Sequence, residues 1–188
     1  MEAHTRTCVF DLETSSLYAD SGIILCAHIK TYKTKDGRTI RADNFPTWKT
    51  NKSNNKAIVE AIMKELDDYD ILVAHNGQYF DKAWLNAACL QYGIDPKIRF
   101  KKFIDPVMIA RRHLRLGRNS LAAVADYLNV PVTKTPLELR LWQQAALDGD
   151  IKSLNKIVTH CVRDVQVLEC CYDYARKLVK DVNERGSS

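Results

Sequence analysis

An α/β fold, a mixed five-stranded sheet flanked by helices, is what this sequence predicts, and three observations carry the prediction. Three strand-like segments open the chain, helix and strand patterns then alternate as far as residue 104, and the last third is almost wholly helical in pattern. Each element has its own local reason.

The apolar run Thr7-Cys8-Val9-Phe10 predicts a strand over 6–12. Strands at 22–32 and 38–44 follow, joined by the turn Lys35-Asp36-Gly37-Arg38, whose Asp-Gly pair is a strong hairpin signal. A helix is expected at 54–67. The run Ile71-Leu72-Val73-Ala74 then gives a buried strand at 70–75, Asn76-Gly77 a turn, and the next segment a helix at 79–92. A short strand at 100–104 leads into Asp105-Pro106, where proline suits the first turn of a helix at 106–113. Helices at 120–128, 137–147 and 150–180 complete the chain, with Asp105 and Asp150 placed as N-caps.

At 188 residues, with 46% hydrophobic and 27% charged content, the chain is sized for one domain, residues 1–188, with a full core. The N-terminus is polar and no apolar run approaches the ~18 residues a membrane span requires, so a soluble, cytoplasmic protein with no membrane partner is expected. Cys8, Cys26, Cys89, Cys161, Cys170 and Cys171 show no C-x-x-C pairing and mostly sit in apolar segments, as reduced core residues do.

Chemistry enters where the first strand runs into Asp11-Leu12-Glu13-Thr14. Side chains alternate along a strand, so Asp11 and Glu13 point the same way. Adjacent carboxylates repel, and desolvation beside an apolar strand adds to the cost; a hard divalent cation with oxygen ligands is the natural compensation. A solvated acidic pair is the bland alternative for a lone D-x-E. Further along, Asp81 falls in the first turn of its helix. His160 and Asp164, four residues apart on the final helix, share a face.

Together, Asp11-x-Glu13, Asn76-x-x-x-Phe80-Asp81 and His160-x-x-x-Asp164 resemble, in order and spacing, the three motifs of the DEDD (DnaQ-like) 3′-5′ exonucleases, which have the RNase H-like fold. The resemblance runs from residue 6 to about 179. Ala74-x-Asn76-Gly77-x-x-Phe80-Asp81 is similar to family B DNA polymerase proofreading domains, and the stretch from Trp142 to Val165 to RNase H-like predicted exonucleases.

The resemblance implies two Mg2+ or Mn2+ ions about 4 Å apart, disposed for in-line displacement at phosphorus. Asp11 would bridge both, Glu13 and Asp164 would complete one site, and Asp81 would hold the second ion through water. It implies a phosphodiester hydrolase that releases nucleoside 5′-monophosphates from single-stranded 3′ ends of DNA or RNA, with a polymerase or repair complex as one setting. His160 departs from the family pattern. It occupies the slot four before the last Asp where a Tyr is usual, and Thr159 takes the slot where a His is found. An imidazole there can orient water or accept its proton, since histidine titrates near neutrality, or it can simply pack.

Substrate contacts follow from position. Leu12 and Thr14 adjoin the acidic pair; Asn76, Tyr79 and Phe80 are placed to meet sugar or stack on bases, although Asn76 also suits a turn and Phe80 the core. The formal charge is +5 despite the acidic site, which points to a polyanion. Basic clusters lie at Lys97-Ile98-Arg99-Phe100-Lys101-Lys102 and from Arg111 to Arg118. In the second, Arg112, Arg115 and Arg118 are candidates to grip phosphates; the hairpin residues Lys30, Lys33 and Lys35 are weaker candidates. A nucleic-acid-binding module with an unused site, and a structure-specific endonuclease or RNA-trimming nuclease, are the alternatives that the same ligands allow.

Overall fold

The computed structural model of the protein describes residues 5–131 and 137–179. Among these, five strands, β1 (Thr7–Thr14), β2 (Ile24–Thr31), β3 (Gly37–Arg41), β4 (Ile71–Val73) and β5 (Lys102–Ile104), form one mixed sheet in the order β3-β2-β1-β4-β5. The meander β1-β2-β3 is antiparallel, whereas β4 and β5 run parallel to β1 on its other side. This is the RNase H-like α/β architecture.

Among the described residues seven α-helices flank it: α1 (Thr47–Thr50), α2 (Lys56–Asp67), α3 (Asp81–Tyr92), α4 (Pro106–His113), α5 (Leu121–Tyr127), α6 (Arg140–Gln143) and α7 (Ile151–Ala175). Strand alternation divides the core. Cys8, Phe10 and Leu12 face one cluster together with the apolar face of α2 (Ile58, Val59, Ile62, Met63, Leu66) and Trp84, Leu85 and Ala88 of α3. Val9 faces the other side, with Val124 of α5 and Val165, Leu168 and Tyr172 of α7. Among the described residues no helix is long and apolar enough to cross a membrane. All six cysteines are free thiols, five of them buried.

The expected elements recur with shifted ends. Asp105 caps α4 by accepting from the Val107 amide at 3.1 Å, with Pro106 at the first helical position. Asp150 caps α7 through the Ser153 amide at 2.8 Å. The third strand stops at Arg41, because Ala42–Asn44 winds into a 3-10 turn that leads to α1 and buries Trp48. The helix expected at 137–147 is split: α6 passes into a π-helical turn, Gln144–Asp148, closed by Gly149 at φ 70°. The helix expected at 150–180 ends at Ala175, followed by a 3-10 turn, Arg176–Leu178; its expected last residue, 180, lies outside the described residues.

The hairpin differs in kind. Asp36-Gly37 does not make the turn; the loop is 32–36, with Lys33 at φ 61° and the Thr31 amide donating to Asp36 O at 2.9 Å. Gly37 instead pairs with Lys30 inside β3. A Cβ at Gly37 would meet the His28 ring at 3.0 Å, so glycine is used here for close approach.

One consequence of this topology positions the site. Along β1, only Thr7–Val9 pair with β4, so β1 outruns it at the carboxyl ends of the parallel strands. At such a change of strand order, loops and helix starts converge on exposed strand termini, the usual place for a site in an open α/β sheet.

Candidate metal centre

Asp11 and Glu13 lie on this overhang of β1, pointing to the same side, with a register irregularity between Glu13 and Thr14. The inward face of α7 crosses β1 here, carrying Cys161 and Asp164 buried and His160 nearly so. The imidazole points into the acidic group: His160 Nε2 is 3.6 Å from Asp164 Oδ2 and 4.0 Å from Glu13 Oε1. Thr159 turns outward and donates its hydroxyl to Asn155 O at 3.0 Å. On this helix the slot four before Asp164 is therefore the inward one.

Asp81, at the start of α3, reaches the backbone of the same strand end from the other side of the sheet. Beyond the end of β4 the Leu12 amide has no strand partner on that side, and it donates to Asp81 Oδ1 at 3.1 Å. Asp81 is only 2% exposed. Burial pushes its carboxyl up to about 7; hydrogen bonds from its own and the Leu12 amides pull it down, and the neighbouring Asp105 carboxylate adds to the rise. Asp105 is itself raised by burial, against the donors it accepts from.

The sign of this linkage is definite. A carboxyl whose folded pKa is raised stabilises the fold fully below its ordinary value near 3.8, and that contribution is lost as pH rises through about 7. Asp81→Asn keeps an oxygen acceptor for the Leu12 amide and removes the charge. In chelator, its melting temperature at pH 8 should exceed wild type by about 2–4 °C for each kcal/mol relieved. Thermal unfolding across pH 5–8 checks this, and a lower melting temperature for the variant would refute it.

The donor set suits a hard cation. Asp11, Glu13 and Cys161 each place a ligand atom within 4.8 Å of the others. Hydrogen bonding with Cys26 and then burial hold the Cys161 thiol protonated, well above its usual range, and its Sγ donates to Asp11 O at 3.5 Å. The sulfur is thus occupied as a donor, and the carboxylate oxygens are what a metal would meet.

The sequence pattern does not single out Trp142. Its Nε1 donates to Glu13 Oε2 at 2.8 Å, and its ring stands edge-on to His160 at 5.9 Å and 90°. The signal for it in the sequence is only general: an indole in a half-polar segment must find an acceptor for its N–H.

The expected substrate contacts separate. The Leu12 side chain is 4% exposed and belongs to the core cluster on the opposite face from Asp11, and its amide donates to Asp81. The Thr14 hydroxyl donates to Ser16 O at 2.7 Å. Asn76 is a turn residue at φ 60°, its amide donating to Asp105 Oδ1 at 2.9 Å. Phe80 packs against the core, whereas Tyr79 is 65% exposed.

The basic cluster at 97–102 is largely neutralised within the fold. Lys97 and Lys101 both pair with Asp67, and Arg99 pairs with Asp95. Lys30 is likewise held by Glu169 at 2.6 Å, and Lys33 lies 3.8 Å from Asp173. Arg112, at the end of α4, and Arg115 and Arg118, in the loop after it, are exposed and have no carboxylate at ion-pair distance among the described residues. That loop is anchored beside the segment after β4 by His75 Nε2 donating to Asn119 O at 3.0 Å.

A mixed sheet in this strand order, with acidic side chains at the carboxyl end of its central strand, defines the RNase H-like class. The family model RNase_H_2, of the RNase_H superfamily, matches residues 8–176, and the chain belongs to that superfamily. No curated protein matches its sequence significantly. Among solved structures, the family B DNA polymerase from the hyperthermophilic archaeon Pyrobaculum calidifontis superposes with a TM-score of 0.72 at 14% identity, over 94% of this chain. This chain spans 25% of that polymerase, and at such identity the likeness concerns the fold alone.

Proposed function

We propose that this protein is a divalent-metal-dependent 3′-5′ exonuclease of the DEDD type, acting as a single domain on single-stranded nucleic-acid ends and releasing nucleoside 5′-monophosphates. The observation that carries the reading is the convergence of Asp11 and Glu13 of β1, Asp81 of α3 and His160 and Asp164 of α7 around one strand end, from segments far apart in the chain. A core has no use for so many carboxylates in one place; an ion-assisted reaction at phosphorus does.

Asp11, Glu13, Asp81 and Asp164 would hold two Mg2+ or Mn2+ ions. When bound, such ions supply charge neutralisation at the scissile phosphate and activation of water at neutral pH. The protein's own residues do the rest. His160 accepts or orients the proton of the attacking water, within reach of both Glu13 and Asp164. Tyr79, exposed two residues before Asp81, offers a stacking face to a terminal base. Beside His160 an open groove of about 280 Å³, lined by Leu137, Asn155, Lys156, Thr159 and Arg163, gives a strand room to lie.

Arg112, Arg115 and Arg118 would contact the phosphate backbone further along. Replacing Arg115 and Arg118 together by Ala should weaken oligonucleotide binding uniformly across sequences and lower the slope of log K against log salt by about 1 for each phosphate that goes unneutralised. Anisotropy titrations at several salt concentrations measure this; an unchanged slope removes these arginines from the interface.

The test of the function is a time course on 5′-labelled single-stranded DNA and RNA of one sequence, with Mg2+, Mn2+ or chelator. A metal-dependent ladder shortening from the 3′ end is expected, and the faster of the two ladders names the substrate. Internal cuts would favour an endonuclease. Salt-sensitive binding with no cleavage would favour a binding module or a polymerase or repair partner needed for activity.

A further inference from the structure

We infer that Trp142 is a positioning residue of the carboxylate centre: it holds Glu13 in the orientation that receives a divalent cation and walls the imidazole of His160. The inference rests on the metal-dependent reading above.

The three tryptophans sit in different surroundings. Trp48 is buried in the core, and Trp84 donates to a backbone carbonyl, Ser16 O, at 3.4 Å. Trp142 donates to a carboxylate of the centre itself, Glu13 Oε2, at 2.8 Å. The chemistry of that donor matters. An arginine or lysine in its place would neutralise Glu13 and compete with a cation, whereas an indole is a neutral, single donor. It fixes the carboxylate plane and leaves its charge intact. One oxygen is engaged by the indole, and the other, Oε1, faces His160 Nε2 at 4.0 Å.

The indole's own seat is firm. The turn that follows α6 buries Ala145 and Ala146 against Leu154, Ile157 and Cys161 of α7. Gln144 clasps the start of α7 twice, its backbone carbonyl accepting from the Asp150 amide at 3.2 Å and its side-chain oxygen from the Ser153 hydroxyl at 3.2 Å. Trp142 is thereby carried on a segment locked to the helix that supplies His160 and Asp164. Its edge-on contact with the imidazole closes off rotation of that ring toward α6.

Partners that orient a metal ligand typically account for 10–100-fold in metal affinity. The test is Mn2+ binding to the whole protein, by calorimetry and by the electron paramagnetic resonance of free Mn2+, for wild type, Trp142→Phe, Glu13→Gln and the double variant. Trp142→Phe should weaken Mn2+ binding about 10–100-fold. If the indole acts through Glu13, the same substitution in the Glu13→Gln background should cause little further loss.

Equal loss in both backgrounds would make Trp142 a general packing residue and overturn the inference. Wild-type affinity in Trp142→Phe would overturn it as well, leaving the nuclease reading intact. Wild type that binds no Mn2+ would overturn the nuclease reading itself. Circular dichroism verifies folding, and Trp142→Leu, which removes the same N–H, runs the same cycle should the phenylalanine variant not fold.

Discussion

Asp11→Ala and Asp164→Ala should each reduce hydrolysis to background while leaving the protein folded and able to bind nucleic acid. Both residues sit at the strand-end centre, outside the three apolar clusters, so truncation costs little packing. Asp164 is 5% exposed and shares its surroundings with Glu13 and His160; removing one of several crowded negative charges relieves repulsion rather than creating it. Its loss is expected to be neutral or stabilising in chelator. The catalytic loss would have a different origin: Asp11, as the proposed metal ligand at the centre of the strand end, would hold the ions that activate water, and no neighbouring group offers a carboxylate from the same strand position. The measurement is the 3′-end ladder alongside thermal unfolding and anisotropy binding. An Asp11→Ala protein with the wild-type rate would sink the mechanism, and an unfolded one would make the residue structural.

His160→Ala should slow the chemical step by about 100 to 10,000-fold if the imidazole is a general base, equivalent to about 3–5 kcal/mol of barrier at 1.36 kcal/mol per tenfold. Geometry favours the large effect. The ring is held on one side by the Trp142 edge and directed at two carboxylates on the other, so it has lost the freedom a surface histidine would keep. His160→Gln separates the two roles. If orienting water is enough, glutamine retains much of the rate; if proton acceptance is required, it is as slow as alanine. Single-turnover rates across pH 5.5–8.5 make the distinction, because a general base leaves an acid limb that both variants lack. A loss below about tenfold in His160→Ala would return the residue to a packing role.

Features that depend on a few neighbouring residues are legible without any fold. Strand periodicity at Thr7-Cys8-Val9-Phe10, the Asp105-Pro106 and Asp150 helix starts and the shared helical face of His160 and Asp164 follow from backbone geometry over one or two turns. The candidate site is legible for the same reason: each motif is local, and their order along the chain carries the resemblance. Features that mislead are those settled by a distant neighbour. Gly37 looks like a turn residue until the His28 ring is found against its Cα, and the lysines and arginine at 97–101 look like a binding cluster until Asp67 and Asp95 are found beside them. Leu12 adjoins the acidic pair in sequence but faces the opposite side of the sheet.

The sequence by itself determined the α/β class, the set of candidate acidic residues and the parity that puts Asp11 and Glu13 on one side of their strand, since each rests on covalent neighbourhood and period. Only the tertiary structure decided that α7 crosses β1 so that His160 faces Glu13, that a strand ending at Val73 frees the Leu12 amide for Asp81, and that an indole 129 residues from Glu13 donates to its carboxylate. The contacts of His160 are set by the packing of a 25-residue helix across a sheet and that of Asp81 by where β4 ends and α3 begins, each a sum of many weak burial terms that no local pattern encodes.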